Sequence, residues 1–169
     1  MAQGGRVVVG VSGSLRSLAA LHRAVDEARG RDAELLVVMA WTPPGGEMAY
    51  HRSPCPPLLR SAEDGAADRL ARVFREALGG VPRGVAVRAV VVRGDAGAAL
   101  VRIADRADDL LVVGTGRQGG IRRLVHGAVS RHCLSHAACA VLAVPPLALM
   151  RDLERGPRSL VPRPLGRTT

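Results

Sequence analysis

The sequence LLVVGTGRQGG, residues 110–120, decides the fold because it places a short apolar run directly before a glycine-rich loop. The apolar run is typical of a strand that is buried on both faces of a parallel sheet. Residues 121–133 contain no proline and are predicted to form the helix that follows. In such a layout the backbone N–H groups of the loop and the N-terminus of the helix attract an anion. The stretch therefore predicts a phosphate-binding loop.

Residues 114–119 also match the spacing G-x-G-x-x-G of dinucleotide-binding loops. That fingerprint follows the first strand of its domain, and an acidic residue about twenty positions later binds the ribose. Here the loop follows the fourth predicted strand, and no acidic residue follows it until Asp152. We therefore reject an NAD site and keep the phosphate-loop geometry.

The rest of the chain alternates apolar runs with amphipathic segments. Strands are predicted at 6–11, 34–41, 85–92, from 109 into the glycine loop, and at 140–144. Helices are predicted between Gly13 and Gly30, at 62–78, at 98–107 and at 121–133. Five alternations predict an α/β fold, a three-layer, doubly wound, five-stranded parallel sheet with right-handed crossovers. We expect one domain at 6–146, with flexible tails at 1–5 and 151–169.

The segment 42–57 interrupts this alternation. It holds five of the eleven prolines and is predicted to be a long irregular loop. A loop of this length in a compact domain is usually functional or mobile.

A ligand site is predicted beyond the carboxyl ends of the strands, where ligands of open α/β sheets bind. Three places in the sequence meet there: the turn Ser12-Gly13 after the first strand, the end of the second strand at Met39-Ala40, and the glycine loop. Asp108 and Asp109, by contrast, mark the entry to the fourth strand, and we expect no acid–base pair from them.

The charge of the chain invites a nucleic-acid interpretation, which its distribution disfavours. The formal net charge is +9 over 169 residues, and every basic residue apart from histidine is arginine. Residues 113–132 carry +4 of this excess and residues 151–169 carry +3, so the remaining surface is nearly balanced. Stacking platforms for single strands need aromatic side chains, and the chain has only Trp41, Tyr50 and Phe74. We therefore expect no nucleic-acid partner.

The cysteines and the apolar stretches predict a cytoplasmic protein without a membrane partner. Cys55, Cys133 and Cys139 match no metal-ligand spacing, so we expect free thiols and no metal site. His132 and His136 lie four residues apart, which places two imidazoles on one helix face. The N-terminus has no signal peptide pattern, and the apolar stretch 137–150 is broken by two prolines and is too short to span a bilayer.

Four stretches together resemble the universal stress protein family over residues 6–145. They are VVVGVSGSLRSLAAL, ELLVVMAW, GDAGAALVRIADRADDLLVVGTGRQGG and RRLVHGAVSRHCLSHAACAVLAVP. The resemblance implies the flavodoxin-like strand order 3-2-1-4-5 and a homodimer formed largely through the fifth strands. In one subgroup it also implies ATP, with its accompanying Mg²⁺, bound between the first turn, the end of the second strand and the glycine loop.

The sequence departs from that subgroup's pattern, which is an Asp after strand one and then Gly, two residues, Gly, nine residues and Gly-Ser or Gly-Thr. Ser12 replaces the Asp, Arg117 replaces the second Gly with Gly116 one position earlier, and Ala128 replaces the final Ser. Each change weakens the site in a different way, because Ser12 cannot accept two ribose hydroxyls, Arg117 adds a side chain near the phosphates and Ala128 lacks a hydroxyl. The opposing alternative is that Arg117, Arg122, Arg123 and His126 supply charge-assisted contacts to an anion. The residues expected at the nucleotide are Ser12, Ala40, Val113, Gly114, Gly116, Arg117, Gly127, Ala128 and Val129.

Two functions stay open at this point. The first is a stress-response module that binds an adenine nucleotide weakly at the glycine loop. The second is a nucleotide-free dimer that recognises other proteins. A weak ATPase is a third and less favoured class, because the sequence offers no nucleophile and no catalytic pair; Arg122, Arg123 and His126 are interpreted as a solvated surface.

Overall fold

The computed structural model describes residues 5–115 and 123–146, without the side chains of 123–126. Two predicted site residues, Gly116 and Arg117, lie outside the described residues, and so do the predicted tails apart from Gly5. Among the described residues, no helix is both long enough and apolar enough to cross a bilayer.

The described residues form a parallel sheet with helices between the strands. The strands are β1 (Arg6–Gly10), β2 (Glu34–Trp41), β3 (Val87–Arg93), β4 (Leu110–Gly114) and β5 (Ala140–Val144). The helices are α1 (Leu15–Arg31), α2 (Glu47–Arg52), α3 (Pro56–Leu78), α4 (Ala96–Ile103) and α5 (Arg123–His136). All strand pairs are parallel and the strand order is β3-β2-β1-β4-β5. The predicted fold class and the order 3-2-1-4-5 are confirmed.

The central strand β1 divides the core into two layers because successive side chains point to opposite faces. Val7 and Val9 pack into the layer that contains α1 and α3. Val8 packs into the other layer, against Leu100 of α4 and Cys133 of α5. All three valines are fully buried, which explains why this part of β1 is continuously apolar.

The prediction of an irregular loop at 42–57 was wrong in part. The segment contains the short helix α2, and α3 begins at Pro56 instead of residue 62. Proline is compatible with the first turn of a helix, because its missing N–H would have no partner there.

α2 has no buried residue, and it is held by Glu47, whose carboxylate accepts two hydrogen bonds from Arg93 of β3 at 3.0 and 2.7 Å. The same guanidinium lies 4.8 Å from the ring centre of Tyr50.

An ion pair between Arg6 and Asp109 joins the start of β1 to the start of β4. The Nε atom of Arg6 donates to Oδ1 of Asp109 at 2.9 Å, and Nη2 donates to Oδ2 at 2.7 Å. The Asp109 side chain is completely buried, and its Oδ2 also accepts the backbone N–H of Arg106. Asp105 forms a second pair with Arg6, but its side chain is 67% exposed. Asp109 therefore has a structural role at the entry to β4, as the sequence suggested.

Candidate functional site

A cavity of about 220 Å³ lies at the carboxyl ends of β1, β2 and β4. Its walls come from the β1–α1 turn, the last residues of β2, Gly114 at the end of β4, and one residue each from α4 and α5. Ligands of doubly wound sheets bind at these carboxyl ends of the strands. The fold therefore brings three distant parts of the sequence to one concave place.

Four of the nine sequence-predicted site residues line this cavity, namely Ser12, Ala40, Gly114 and Val129. The other described ones lie elsewhere. Val113 is buried in the core, Gly127 is half-buried and Ala128 is exposed on α5. None of these three belongs to the cavity wall that the described residues form.

The β1–α1 turn presents a chain of hydroxyl groups at the rim of the cavity. Ser14 is the N-cap of α1, and its Oγ accepts the backbone N–H of Ser17 at 3.3 Å. Ser17 Oγ donates to the carbonyl of Ser14 at 2.8 Å and accepts the backbone N–H of Ser12 at 3.2 Å. Ser12 Oγ in turn donates to Ser14 Oγ at 3.0 Å. The hydroxyl rim is therefore polar and neutral, whereas the Asp of the ATP-binding pattern would place a negative charge at position 12.

Gly114 permits a close approach between β4 and the first turn of α1. A Cβ at this position would lie 2.7 Å from the carbonyl oxygen of Arg16, which is backbone and cannot swing aside. The chain beyond Gly114 stays bound to the sheet edge, because the N–H of Thr115 donates to the carbonyl of Val144 at 2.7 Å. The glycine that opens the loop thus also sets the wall of the cavity.

Arg16 is a cavity residue that the sequence analysis did not identify. It is only 7% exposed and lines the cavity from the first turn of α1. A cation at a helix N-terminus opposes the helix dipole, so helix stability does not explain its position. Of the described residues that line the cavity, Arg16 is the only charged one. Its position in the first turn, next to the capping serines, is the signal that could have identified it.

His132, Cys133 and His136 of α5 are not among the described residues that line this cavity. The rings of His132 and His136 stack with their centres 4.3 Å apart, as their spacing predicts, and Nδ1 of His136 lies 3.0 Å from the carbonyl oxygen of His132. The residues that the structure describes contain no cluster of three or more metal-ligating side chains. Burial raises the pKa of Cys133 to about 11, which makes its thiol a poor nucleophile at neutral pH.

Comparison with known proteins identifies the relatives of this chain. Its residues 5–145 match the model of the universal stress protein family. A universal stress protein solved in complex with cAMP is 30% identical, with a TM-score of 0.52, and the alignment covers 83% of this chain and 95% of that one. No curated protein sequence matches the chain.

Two further solved structures support the fold. The universal stress protein UspA from Lactobacillus plantarum is 18% identical, with a TM-score of 0.63, over 85% of this chain and 99% of its own. A universal stress protein from Archaeoglobus fulgidus is 22% identical, with a TM-score of 0.53, over 83% of this chain and 98% of its own. Together with the family match, the cavity and the strand order lead to one conclusion: this chain belongs to the universal stress protein family.

Proposed function

We propose that this chain is a cytoplasmic stress-response module that binds an adenine nucleotide weakly, in the cavity at the carboxyl ends of β1, β2 and β4. The observation that carries the proposal is the cavity itself, in which Ser12, Ala40 and Gly114 from three separate strand ends meet. The 30% identical relative that was solved with cAMP supports an adenine nucleotide as the ligand class.

The lining of the cavity suggests how such a ligand lies. Val38, Ala40 and Leu100 form an apolar wall that suits a purine ring, while the hydroxyls of Ser12 and Ser14 form the polar rim that suits a sugar. The cavity volume of about 220 Å³ is below the usual range for ligand pockets, roughly 300–1,000 Å³. We therefore place the base and the ribose inside the cavity and the phosphates beyond it, toward the glycine loop.

A binding role is favoured over ATP hydrolysis by the chemistry of the cavity wall. The described lining residues supply hydroxyls and one guanidinium, without a carboxylate or an imidazole that could act as a general base. Mg²⁺ at nucleotide sites is usually held by one or two carboxylates together with the phosphates, and the described lining residues include no carboxylate. We accordingly propose ATP as a ligand and assign no catalytic residue.

Calorimetry with ATP and AMP on the full chain tests this function. We expect binding in the high micromolar to millimolar range, because Ser12, Arg117 and Ala128 each depart from the ATP-binding pattern, and we expect no nucleotide in the supernatant of the denatured protein. Ala40→Phe fills the cavity and should abolish binding, whereas Ala107→Phe, at an exposed position before β4, should leave it unchanged. Equal binding by both variants would place the nucleotide elsewhere.

The second candidate function, a dimeric interaction module, is favoured by the contrast between the two sheet edges. The β3 edge carries Arg88 and Arg93, charges that discourage strand pairing. The β5 edge reads AVLAV, has no charge, and leaves Ala140 and Ala143 exposed. We propose that β5 pairs with β5 of a second copy, and that the dimer can present a surface to other proteins.

Light scattering checks this assembly. The full chain should have the mass of a dimer at micromolar concentration, and Leu142→Arg should reduce it to a monomer because a charge would be buried at the pairing edge. Ala89→Arg on the opposite edge strand is the matched control and should remain dimeric. A monomeric parent chain, or a folded Leu142→Arg variant of unchanged mass, would contradict the proposal.

A further inference from the structure

A second cavity adjoins the nucleotide cavity on the other side of the β1–α1 turn. It has a volume of about 210 Å³ and lies between this turn and α3. Ser12 lines both cavities, and both Ser12 and Gly13 are exposed. The two cavities therefore share one exposed wall residue, Ser12, at the turn.

The second cavity is a basic site. Arg69 and Arg72 line it from α3, and their spacing of three residues places them on the same helix face. Among the described residues neither arginine forms an ion pair, and both are exposed. Glu76 is the one carboxylate among the described lining residues, so the described lining carries two positive charges and one negative charge. Guanidinium groups bind phosphate through paired N–H donors.

The group that would reach this site follows from the placement of the ligand. In the placement proposed above, the sugar lies at the hydroxyl rim formed by Ser12 and Ser14, and its 2′- or 3′-position then faces the boundary between the two cavities. In dinucleotide-binding domains a carboxylate at the ribose selects free hydroxyls, whereas an arginine accommodates a phosphate on the ribose. Here the boundary residue is the neutral Ser12, and the arginines are next to it.

We propose that this chain prefers adenine nucleotides that carry a phosphate on the ribose, with Arg69 and Arg72 binding that phosphate in the second cavity. The inference rests on the proposed function of the first cavity and specifies its ligand. Ser12 acts as the specificity-determining residue, because a carboxylate in its place would repel the phosphate.

Calorimetry at constant ionic strength tests the inference with three probes, namely AMP, adenosine 3′,5′-bisphosphate and adenosine 2′,5′-bisphosphate. The extra phosphate gains charge-assisted hydrogen bonds, so one of the two bisphosphates should bind at least about tenfold more tightly than AMP. The bisphosphate that gains shows which ribose position faces the arginines. If AMP binds and neither bisphosphate binds more tightly, the inference fails and the proposed function stands. If no probe binds, both fail.

Two variants of equal charge locate the contact. Arg69→Gln with Arg72→Gln should remove the advantage of the bisphosphate and leave AMP binding within about threefold, because the lost contacts belong to the extra phosphate alone. Arg60→Gln with Arg75→Gln removes two exposed arginines from the same helix outside this cavity and should retain the advantage. If the two double variants lose it equally, general electrostatic attraction is the cause and the inference is overturned.

Discussion

Arg6→Met should destabilise the protein by about 3–5 kcal/mol, which is the cost of leaving a buried charge without its partner. The Asp109 side chain is completely buried, and Arg6 supplies two of its hydrogen bonds, at 2.9 and 2.7 Å. Methionine keeps most of the volume of the arginine stem but donates no hydrogen bond. The carboxylate must then be protonated, which costs free energy at neutral pH, or be exposed to water, which opens the start of β4.

Thermal unfolding measures this effect. In a domain of this size about 1 kcal/mol corresponds to roughly 2–4 °C, so we expect the melting temperature to fall by about 6–20 °C. Asp105→Asn is the matched control, because it removes the exposed partner of the same arginine and should cost less than about 1 kcal/mol. Similar losses in the two variants would show that the buried pair contributes no more than the exposed one.

The double variant Arg6→Met with Asp109→Leu separates the loss of the pair from the penalty of an unpaired charge. Replacing a buried ion pair by apolar side chains of similar volume is often neutral. We therefore expect the double variant to recover most of the stability that Arg6→Met loses. If it is no more stable than Arg6→Met alone, the attribution to the unpaired carboxylate is wrong.

The sequence predicted the three central strands, β1, β2 and β4, because their burial requires runs of apolar side chains. Val7, Val8 and Val9 are buried on both faces, and only a continuous apolar run can satisfy that environment. The helix α2 has no apolar pattern that would predict it, because none of its residues is buried. Its contact with Arg93 joins positions 46 residues apart. The Arg6–Asp109 pair joins positions 103 residues apart, and a local sequence pattern does not predict a contact over that separation.

Apart from Val129, which came from the family resemblance, the residues of the candidate site were predictable only where they lie at the strand ends. Ser12, Ala40 and Gly114 follow from the rule that ligands bind beyond the carboxyl ends of the strands. The burial of Arg16 at the cavity results from the packing of α1 against β4, where the Arg16 carbonyl approaches Gly114. The periodicity of the sequence does not predict that contact. Arg69 and Arg72 look like an ordinary solvated helix face until the fold places α3 beside the β1–α1 turn.

The triple variant Ser12→Asp, Arg117→Gly, Ala128→Ser should bind ATP at least about tenfold more tightly than the parent chain. Each substitution restores a group of the ATP-binding pattern that this family's subgroup carries, and one hydrogen bond to a charged group is worth about 1.5–3 kcal/mol. Since about 1.4 kcal/mol corresponds to a tenfold change in affinity, one fully effective substitution suffices. Calorimetry on both proteins measures the change.

The control triple Ser53→Asp, Arg83→Gly, Ala107→Ser makes the same chemical changes at exposed positions outside the cavity and should bind ATP as the parent does. Tight ATP binding by the parent would mean that Arg117 binds a phosphate, and Arg117→Ala should then abolish it. No gain in the triple variant would favour the interaction module over the nucleotide module.

Ser12→Asp alone is the most informative component, because its carboxylate accepts the hydroxyls of a free ribose and repels a ribose phosphate. This single change should therefore shift the affinities for ATP and for the adenosine bisphosphate in opposite directions, an outcome that a general change in stability or net charge would not produce.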